Sequence, residues 1–147
     1  MCSGVERALD IAERFDLWLG IEPEMANVIN SAAKARRLLD EMKSPRLKIV
    51  MDAANLLSRE NFSDAQFVLE DAFDKLGADI AIAHAKDLSR QGYFAAAGKG
   101  DVPFDAYLRL LANAGFPGPL ILHGLDEKEV DASVRFLENV MSMTKAN

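Results

Sequence analysis

Four short apolar runs recur along the chain, and each one ends in a charged or imidazole side chain. The runs are Leu17–Glu22, Leu47–Asp52, Ile80–Asp87 and Pro119–His123. Continuous apolar runs of this length, rich in branched residues, are typical of strands buried in a parallel sheet. The polar residues at their carboxyl ends are Glu22, Asp52, His84 and His123. The pattern therefore predicts four strands that each carry a polar side chain where the strand ends.

Segments with helical periodicity separate the runs. The predicted helices are Val5–Phe15, Ser31–Met42, a segment from Ser63 to Gly77, Pro103–Ala114 and Glu127–Met143. In the third of them, Ser63 and Gln66 have the spacing of a capping box, and Gly77 is placed to end the helix. Two glycines, Gly98 and Gly100, predict a flexible loop ahead of the fourth helix.

The order is one helix followed by four strand–helix pairs, and the strand-terminal residues are separated by 30, 32 and 39 positions. Repeated βα units predict an α/β fold with a parallel sheet and right-handed crossovers, either open or rolled into a barrel. No linker divides residues 1–147, so we expect a single domain. A complete (β/α)8 barrel needs about 200 residues or more. The predicted fold is therefore a partial TIM barrel of about four parallel βα units, corresponding to the C-terminal half.

Composition and charge argue against several classes of function. The 147 residues are 50% hydrophobic and 27% charged, which is ordinary for a globular domain. The net charge of −6 argues against a nucleic-acid partner, since phosphate binding needs clustered basic residues. A lone cysteine, Cys2, excludes an intrachain disulfide. No apolar run approaches the roughly 20 residues needed to cross a bilayer, and we expect a cytoplasmic protein without a membrane partner.

Four short motifs resemble those of the xylose isomerase-like TIM-barrel superfamily, in its sugar phosphate isomerase/epimerase branch. They are Gly20-Ile21-Glu22-Pro23-Glu24, Val50-Met51-Asp52-Ala53-Ala54-Asn55, His84-Ala85-Lys86-Asp87 and Gly98-Lys99-Gly100-Asp101-Val102-Pro103-Phe104. Their order and spacing are more specific than any single motif. The resemblance implies that the four strands are the fifth to eighth of a barrel and that the chain is a truncated form without the first four.

By this resemblance, Glu22, Asp52 and His84 match three of four ligands of one divalent metal ion, which would be Mn2+, Mg2+, Co2+ or Zn2+. A metal bound to a sugar's carbonyl and hydroxyl oxygens acidifies the carbon-bound proton between them, and Glu22 matches a catalytic base. His123 occupies the position of the usual eighth-strand glutamate. Since imidazole can both ligate metal and accept a proton, His123 is a candidate fourth ligand and a candidate catalytic residue.

The resemblance also implies residues that contact the substrate. Asn55 occupies the position of a family histidine, and Arg90 matches an arginine that contacts substrate in some members. Lys86 and Asp87 are further candidates, although such a pair at a loop entrance can also be a surface ion pair.

Three functions compete at this stage. The first is a metal-dependent sugar or sugar phosphate isomerase/epimerase, whose partner is a small sugar. The second is a phosphodiester hydrolase of the endonuclease IV type, which the acidic charge and the presence of only two histidines disfavour. The third is a non-catalytic barrel remnant. A half barrel leaves two open strand edges, so we also expect a homodimer, association into aggregates, or pairing with a missing N-terminal half-barrel.

Overall fold

Five strands form one sheet in the computed structural model, which describes residues 2–145. They are β1 (Leu19–Ile21), β2 (Leu47–Asp52), β3 (Ile80–Leu88), β4 (Phe94–Ala96) and β5 (Leu120–Leu122). β1, β2, β3 and β5 lie side by side in that order and are parallel, whereas β4 is antiparallel to β3. The prediction of four adjacent parallel strands is confirmed, and β4 is an addition that the hydrophobic pattern did not predict.

Six α-helices precede, connect or follow these strands over residues 2–145. They are α1 (Cys2–Arg14), α2 (Ala32–Met42), α3 (Ala53–Leu56), α4 (Ala65–Leu76), α5 (Phe104–Asn113) and α6 (Val130–Lys145), with 3-10 turns at Phe62–Asp64, Gly77–Asp79 and Glu127–Glu129. Helices α2, α4, α5 and α6 each contact the next in this series. Across the part of the chain described, none of the helices has both the length and the apolarity to cross a membrane.

The helices cover one face of the parallel sheet. Side chains alternate between the two faces of a strand. On one face Ile49, Met51 and Ala83 are fully buried, whereas on the other Ile82 and His84 are only partly covered. The buried residues form a cluster that runs from Leu9 in α1 to Leu137 in α6. The uncovered face is the one that carries the polar strand ends.

Two strand edges of the parallel sheet are open in residues 2–145, because β1 pairs only with β2 and β5 pairs only with β3. Leu17 and Trp18, which precede β1, are exposed by 57% and 65%, and Ile121 of β5 by 41%. Exposed apolar residues beside an open edge favour association. The predicted partner of these edges stays a prediction.

The beginning of the third predicted helix was wrong. Ser63 lies in the 3-10 turn before α4, and its hydroxyl lies 3.2 Å from an Asp64 carboxylate oxygen. The α4 N-terminus has no side-chain cap. The capping box instead joins Asp126 and Glu129 ahead of α6. The end of α5 matches its prediction, since Gly115 follows it with a φ of 65°.

Candidate metal centre and active site

Asp52 is the most deeply buried of the four polar strand ends. It is the last residue of β2, and its Oδ1 accepts a 2.9 Å hydrogen bond from the backbone N–H of Ala54, which caps the short helix α3. Its Oδ2 is buried and accepts no hydrogen bond from residues 2–145, although Lys86 Nζ lies 3.3 Å away. A buried carboxylate oxygen without a hydrogen bond is costly unless another group binds it.

His84, on the neighbouring strand β3, lies near this oxygen and contacts Glu22. The Nδ1 atom of His84 is 3.0 Å from Oε1 of Glu22 and 3.9 Å from Oδ2 of Asp52. Pro23 directly follows Glu22 and disfavours helical backbone at the glutamate, which keeps Glu22 at the end of extended chain. The fold therefore brings the three predicted ligands together.

His123 follows β5 and completes the group. Its ring stacks on His84 with 4.8 Å between ring centroids and 5° between planes. Asp52, His84 and His123 each offer a ligand atom, and these atoms lie within 4.8 Å of one another. Glu22 is not within this 4.8 Å group but contacts His84, so two imidazoles and two carboxylates lie together at the carboxyl ends of the strands. We call Glu22, Asp52, His84 and His123 the rim cluster.

Lys86 and Asn55 connect the two carboxylates. Lys86 is 6% exposed, and its Nζ donates a 2.6 Å hydrogen bond to Oδ1 of Asn55. Asn55 is also buried, and its Nδ2 donates a 2.9 Å hydrogen bond to Oε1 of Glu22. The alternative of a surface ion pair between Lys86 and Asp87 was wrong, because Lys86 pairs with Asp52 inside the fold. Direct contact of Lys86 and Asn55 with substrate stays a prediction.

Phe94 is a neighbour of the rim cluster that sequence reasoning missed. Nζ of Lys86 lies 4.1 Å from the centroid of the Phe94 ring, which is a cation–π contact. Phe94 begins β4, after a tight turn in which Gly92 has a φ of 89°. A glycine followed by two aromatic residues was a usable hairpin signal. The predicted loop over residues 95–101 overlaps β4, so this strand was not among those predicted.

Asp87 points away from the rim cluster. Its carboxylate is 1% exposed and accepts four backbone hydrogen bonds of 2.8 to 3.0 Å, from Leu88, Gly98, Gly100 and Val102. The predicted flexible loop is therefore fixed around this side chain. A Cβ atom at Gly100 would collide with the carboxylate, so glycine is needed there. These contacts favour a structural role for Asp87 over the predicted contact with substrate.

Arg90 lies at the outer edge of the site. Its backbone N–H donates a 3.0 Å hydrogen bond to Asp101, and its guanidinium carbon lies 5.5 Å from the centroid of the Phe62 ring. Two-thirds of the Arg90 side chain is exposed. The structure thus places Arg90 outside the rim cluster, and its predicted contact with substrate stays a prediction.

Tyr107 supports the rim cluster from the helix side. The hydroxyl of this fully buried α5 residue lies 2.9 Å from the carbonyl oxygen of Met51 and 3.2 Å from that of His84. It therefore holds the ends of β2 and β3 at the point where their polar side chains begin. Burial raises the pKa of Tyr107 well above its ordinary value, and the charges of Asp52 and Glu22 add to this effect.

The electrostatics of the rim cluster favour a cation. Burial raises the pKa of Asp52 above its ordinary value, and the charge of Glu22 acts in the same direction, while Lys86 opposes both. One ammonium group therefore faces two carboxylates. Oxygen and imidazole donors of this kind suit a divalent transition metal. The residues fit such an ion, because Oδ2 of Asp52 accepts no hydrogen bond from the described residues and lies 3.9 Å from Nδ1 of His84.

Comparison with known structures shows the same architecture. A xylose isomerase domain protein from Planctomyces limnophilus is 22% identical, with a TM-score of 0.76 over 97% of this chain and 51% of that one. A D-tagatose 3-epimerase-like protein is 17% identical, with a TM-score of 0.81 over 98% of this chain and 54% of that one. The D-psicose 3-epimerase of Clostridium cellulolyticum H10, solved with D-tagatose, is 15% identical, with a TM-score of 0.66 over 98% of this chain and 54% of that one. At these identities the likeness shows the fold alone.

The chain spans about half the length of these structures, and its four parallel βα units fit a partial TIM barrel. A comparison with curated proteins found no match. The family model of the xylose isomerase-like TIM barrel matches residues 1–140. The chain therefore belongs to the xylose isomerase-like TIM-barrel family.

Proposed function

We propose that the chain carries the metal-binding half of the active site of a sugar or sugar phosphate isomerase or epimerase. Such an enzyme moves a proton at the carbon next to a carbonyl group. Family membership and similarity to structures described as sugar epimerases support an activity of this type. The metal dependence is argued from the rim cluster itself.

The observation that carries the proposal is the buried Oδ2 atom of Asp52, which accepts no well-aligned hydrogen bond from the described residues, pairs with the ammonium group of Lys86 at 3.3 Å and lies 3.9 Å from Nδ1 of His84. A divalent ion bound between these atoms would satisfy the oxygen and balance the two carboxylates. When bound, the ion would polarise two adjacent sugar oxygens and acidify the C–H bond between them.

Exposure separates the roles of the two carboxylates. The side chain of Asp52 is fully buried, whereas that of Glu22 is 32% exposed and can reach a bound sugar. Glu22 is therefore the candidate base that removes the proton. The hydrogen bond from Asn55 holds Oε1 of the Glu22 carboxylate in place. Exposed His123 stands on the other side of His84, where it can deliver or accept the second proton.

The rest of the substrate pocket would come from strands that pair with the open edges of β1 and β5. The identity of the sugar would depend on those strands, since they would form the pocket walls opposite the rim cluster. The endonuclease alternative is not favoured, because the chain has a net charge of −6 and only two histidines. The remnant alternative predicts metal binding without proton transfer.

Two measurements on the full 147-residue chain test the proposal. The first is calorimetric titration with Co2+ of wild type, Asp52→Ala and a control, Asp74→Ala, which removes an exposed carboxylate from α4. We expect one ion to bind to wild type and to Asp74→Ala, and roughly 100-fold weaker binding to Asp52→Ala. Equal affinity in all three proteins would show that the rim cluster is not the metal site.

The second measurement is deuterium incorporation from D2O into a panel of ketoses and ketose phosphates, with the metal-loaded protein. Incorporation at the carbon next to the carbonyl is expected, and Glu22→Gln should abolish it. If metal binds at the rim cluster and no sugar takes up deuterium, the isomerase proposal fails for this chain and the remnant alternative holds.

A further inference from the structure

We propose that His123 makes the rim cluster select a nitrogen-preferring ion, Zn2+ or Co2+, over Mg2+ and Mn2+. This inference rests on the proposed function, because it concerns the ion held by the same residues. It goes further in naming the class of metal and the residue that decides it. Three observations carry it, namely the donor atoms, their spacing and the charge beside them.

The donor atoms are evenly divided between nitrogen and oxygen. His84, His123 and Asp52 place two imidazole nitrogens and one carboxylate oxygen within 4.8 Å of one another, and Glu22, which contacts His84, is the candidate fourth donor. Imidazole nitrogen is a strong ligand for zinc and cobalt, whereas magnesium and manganese prefer carboxylate, carbonyl and water oxygens. A site with two imidazoles among four protein donors therefore suits the later transition metals.

The spacing of the donors fits four-coordinate geometry. In a tetrahedral zinc site with ligands at about 2.1 Å, neighbouring ligand atoms lie about 3.4 Å apart. Nδ1 of His84 is 3.9 Å from Oδ2 of Asp52, so the two atoms need only a small approach. His123 lies within the same 4.8 Å group, and its ring must turn out of the stack on His84 to ligate. Its exposed position leaves room for this rotation.

The charge beside the donors makes the bonds to the ligand atoms decisive. Buried Lys86 lies 3.3 Å from Oδ2 of Asp52 and offsets part of the negative charge of the two carboxylates. Its repulsion opposes all divalent ions equally, so binding depends on what each ion gains from the donor atoms. Imidazole nitrogens supply that gain to zinc and cobalt more than to magnesium and manganese.

Competition binding on the full chain tests the inference. The metal-free protein is titrated with Zn2+, Co2+, Mn2+ and Mg2+ in the presence of a chelator of known affinity. Visible absorption of bound Co2+ reports its coordination independently of any activity. We expect wild type to bind Zn2+ at least roughly 100-fold more tightly than Mn2+. His123→Glu should reduce this ratio at least about tenfold, and His123→Gln should weaken Zn2+ and change the Co2+ spectrum.

The outcomes separate the inference from the proposed function. Equal or tighter binding of Mn2+ by wild type overturns the inference and leaves the metal site in place. Unchanged affinities and an unchanged Co2+ spectrum in both His123 variants also overturn it, since His123 is then no ligand. Absence of binding by all four ions contradicts both the inference and the proposed function. Thermal unfolding of the two variants shows whether each is folded, and exposed His123 leads us to expect that both are.

Discussion

Replacing Asp87 tests how the loop that borders the site is held. In Asp87→Ala, four backbone N–H groups lose one charged acceptor. Those of Leu88 and Val102 are buried, and each buried donor left without a partner costs about 1–3 kcal/mol. The N–H groups of Gly98 and Gly100 are only partly buried, so water can replace the lost acceptor and their loss costs less free energy. We therefore expect the free energy of unfolding to fall by about 4 kcal/mol, a large part of the stability of a small domain.

Asp87→Asn separates hydrogen bonding from side-chain size. Asparagine keeps one acceptor oxygen, but its NH2 group would face two backbone N–H donors. The expected loss is about 2–3 kcal/mol, between wild type and the alanine variant. Urea unfolding followed by circular dichroism measures both values. Hydrogen exchange at Gly98, Gly100 and Val102 should be faster in both variants, which locates the effect in the loop.

Asp101→Asn serves as the control, because this neighbouring carboxylate is more exposed and accepts a hydrogen bond from Arg90. Its unfolding midpoint should stay close to that of wild type. Wild-type stability in Asp87→Ala would refute the reasoning. A variant of unchanged stability that nevertheless bound a sugar ligand less tightly would instead support the contact between Asp87 and substrate that the family resemblance implied.

Four further predictions follow from Tyr107, Lys86 and the open strand edges. Tyr107→Phe should lower the free energy of unfolding by about 1–2 kcal/mol in chemical denaturation, since its hydroxyl lies within hydrogen-bonding distance of the carbonyl oxygens of Met51 and His84. Because folding raises the pKa of Tyr107, wild type should lose stability as pH rises above about 10, where the unfolded chain ionises first, and Tyr107→Phe should lose less. Lys86→Met should destabilise the chain by about 3 kcal/mol, because Asp52 loses its buried counter-charge, and saturating Zn2+ should recover part of this in thermal melts. Light scattering should show association through the open edges of β1 and β5, and a monomer that persists over all concentrations would contradict it.

The parallel strands and the edge that carries their polar ends could be predicted, because both follow from the pattern of apolar and polar residues along the chain. Each apolar run ends in at least one polar residue, and parallel strands bring such ends to one edge. The contact between Glu22 and His84 is a consequence of that rule. The residues that organise the cluster could not be assigned in this way. The pairing of Lys86 with Asp52 depends on register between strands, which a one-residue shift would reverse.

The alternation of side chains between the two faces of a strand also explains why Lys86 and Asp87 contact different parts of the protein. Adjacent residues of a strand point to opposite faces, so one faces the rim cluster and the other faces the loop. The sequence places the two side by side but does not say which faces are covered. Likewise, Asp52 was predicted as a ligand, but its unbonded Oδ2 becomes visible only when every neighbouring donor has been located.

Anomalous X-ray diffraction from crystals of the full chain grown with Zn2+ tests the central claim most directly. The account predicts one strong peak at the carboxyl ends of β2 and β3, about 2.0–2.2 Å from Oδ2 of Asp52 and from Nδ1 of His84. Glu22 and His123 should complete the coordination from either side. A peak only at exposed carboxylates, with Oδ2 of Asp52 still facing Lys86 alone, would contradict the claim that the four strand ends form a metal centre.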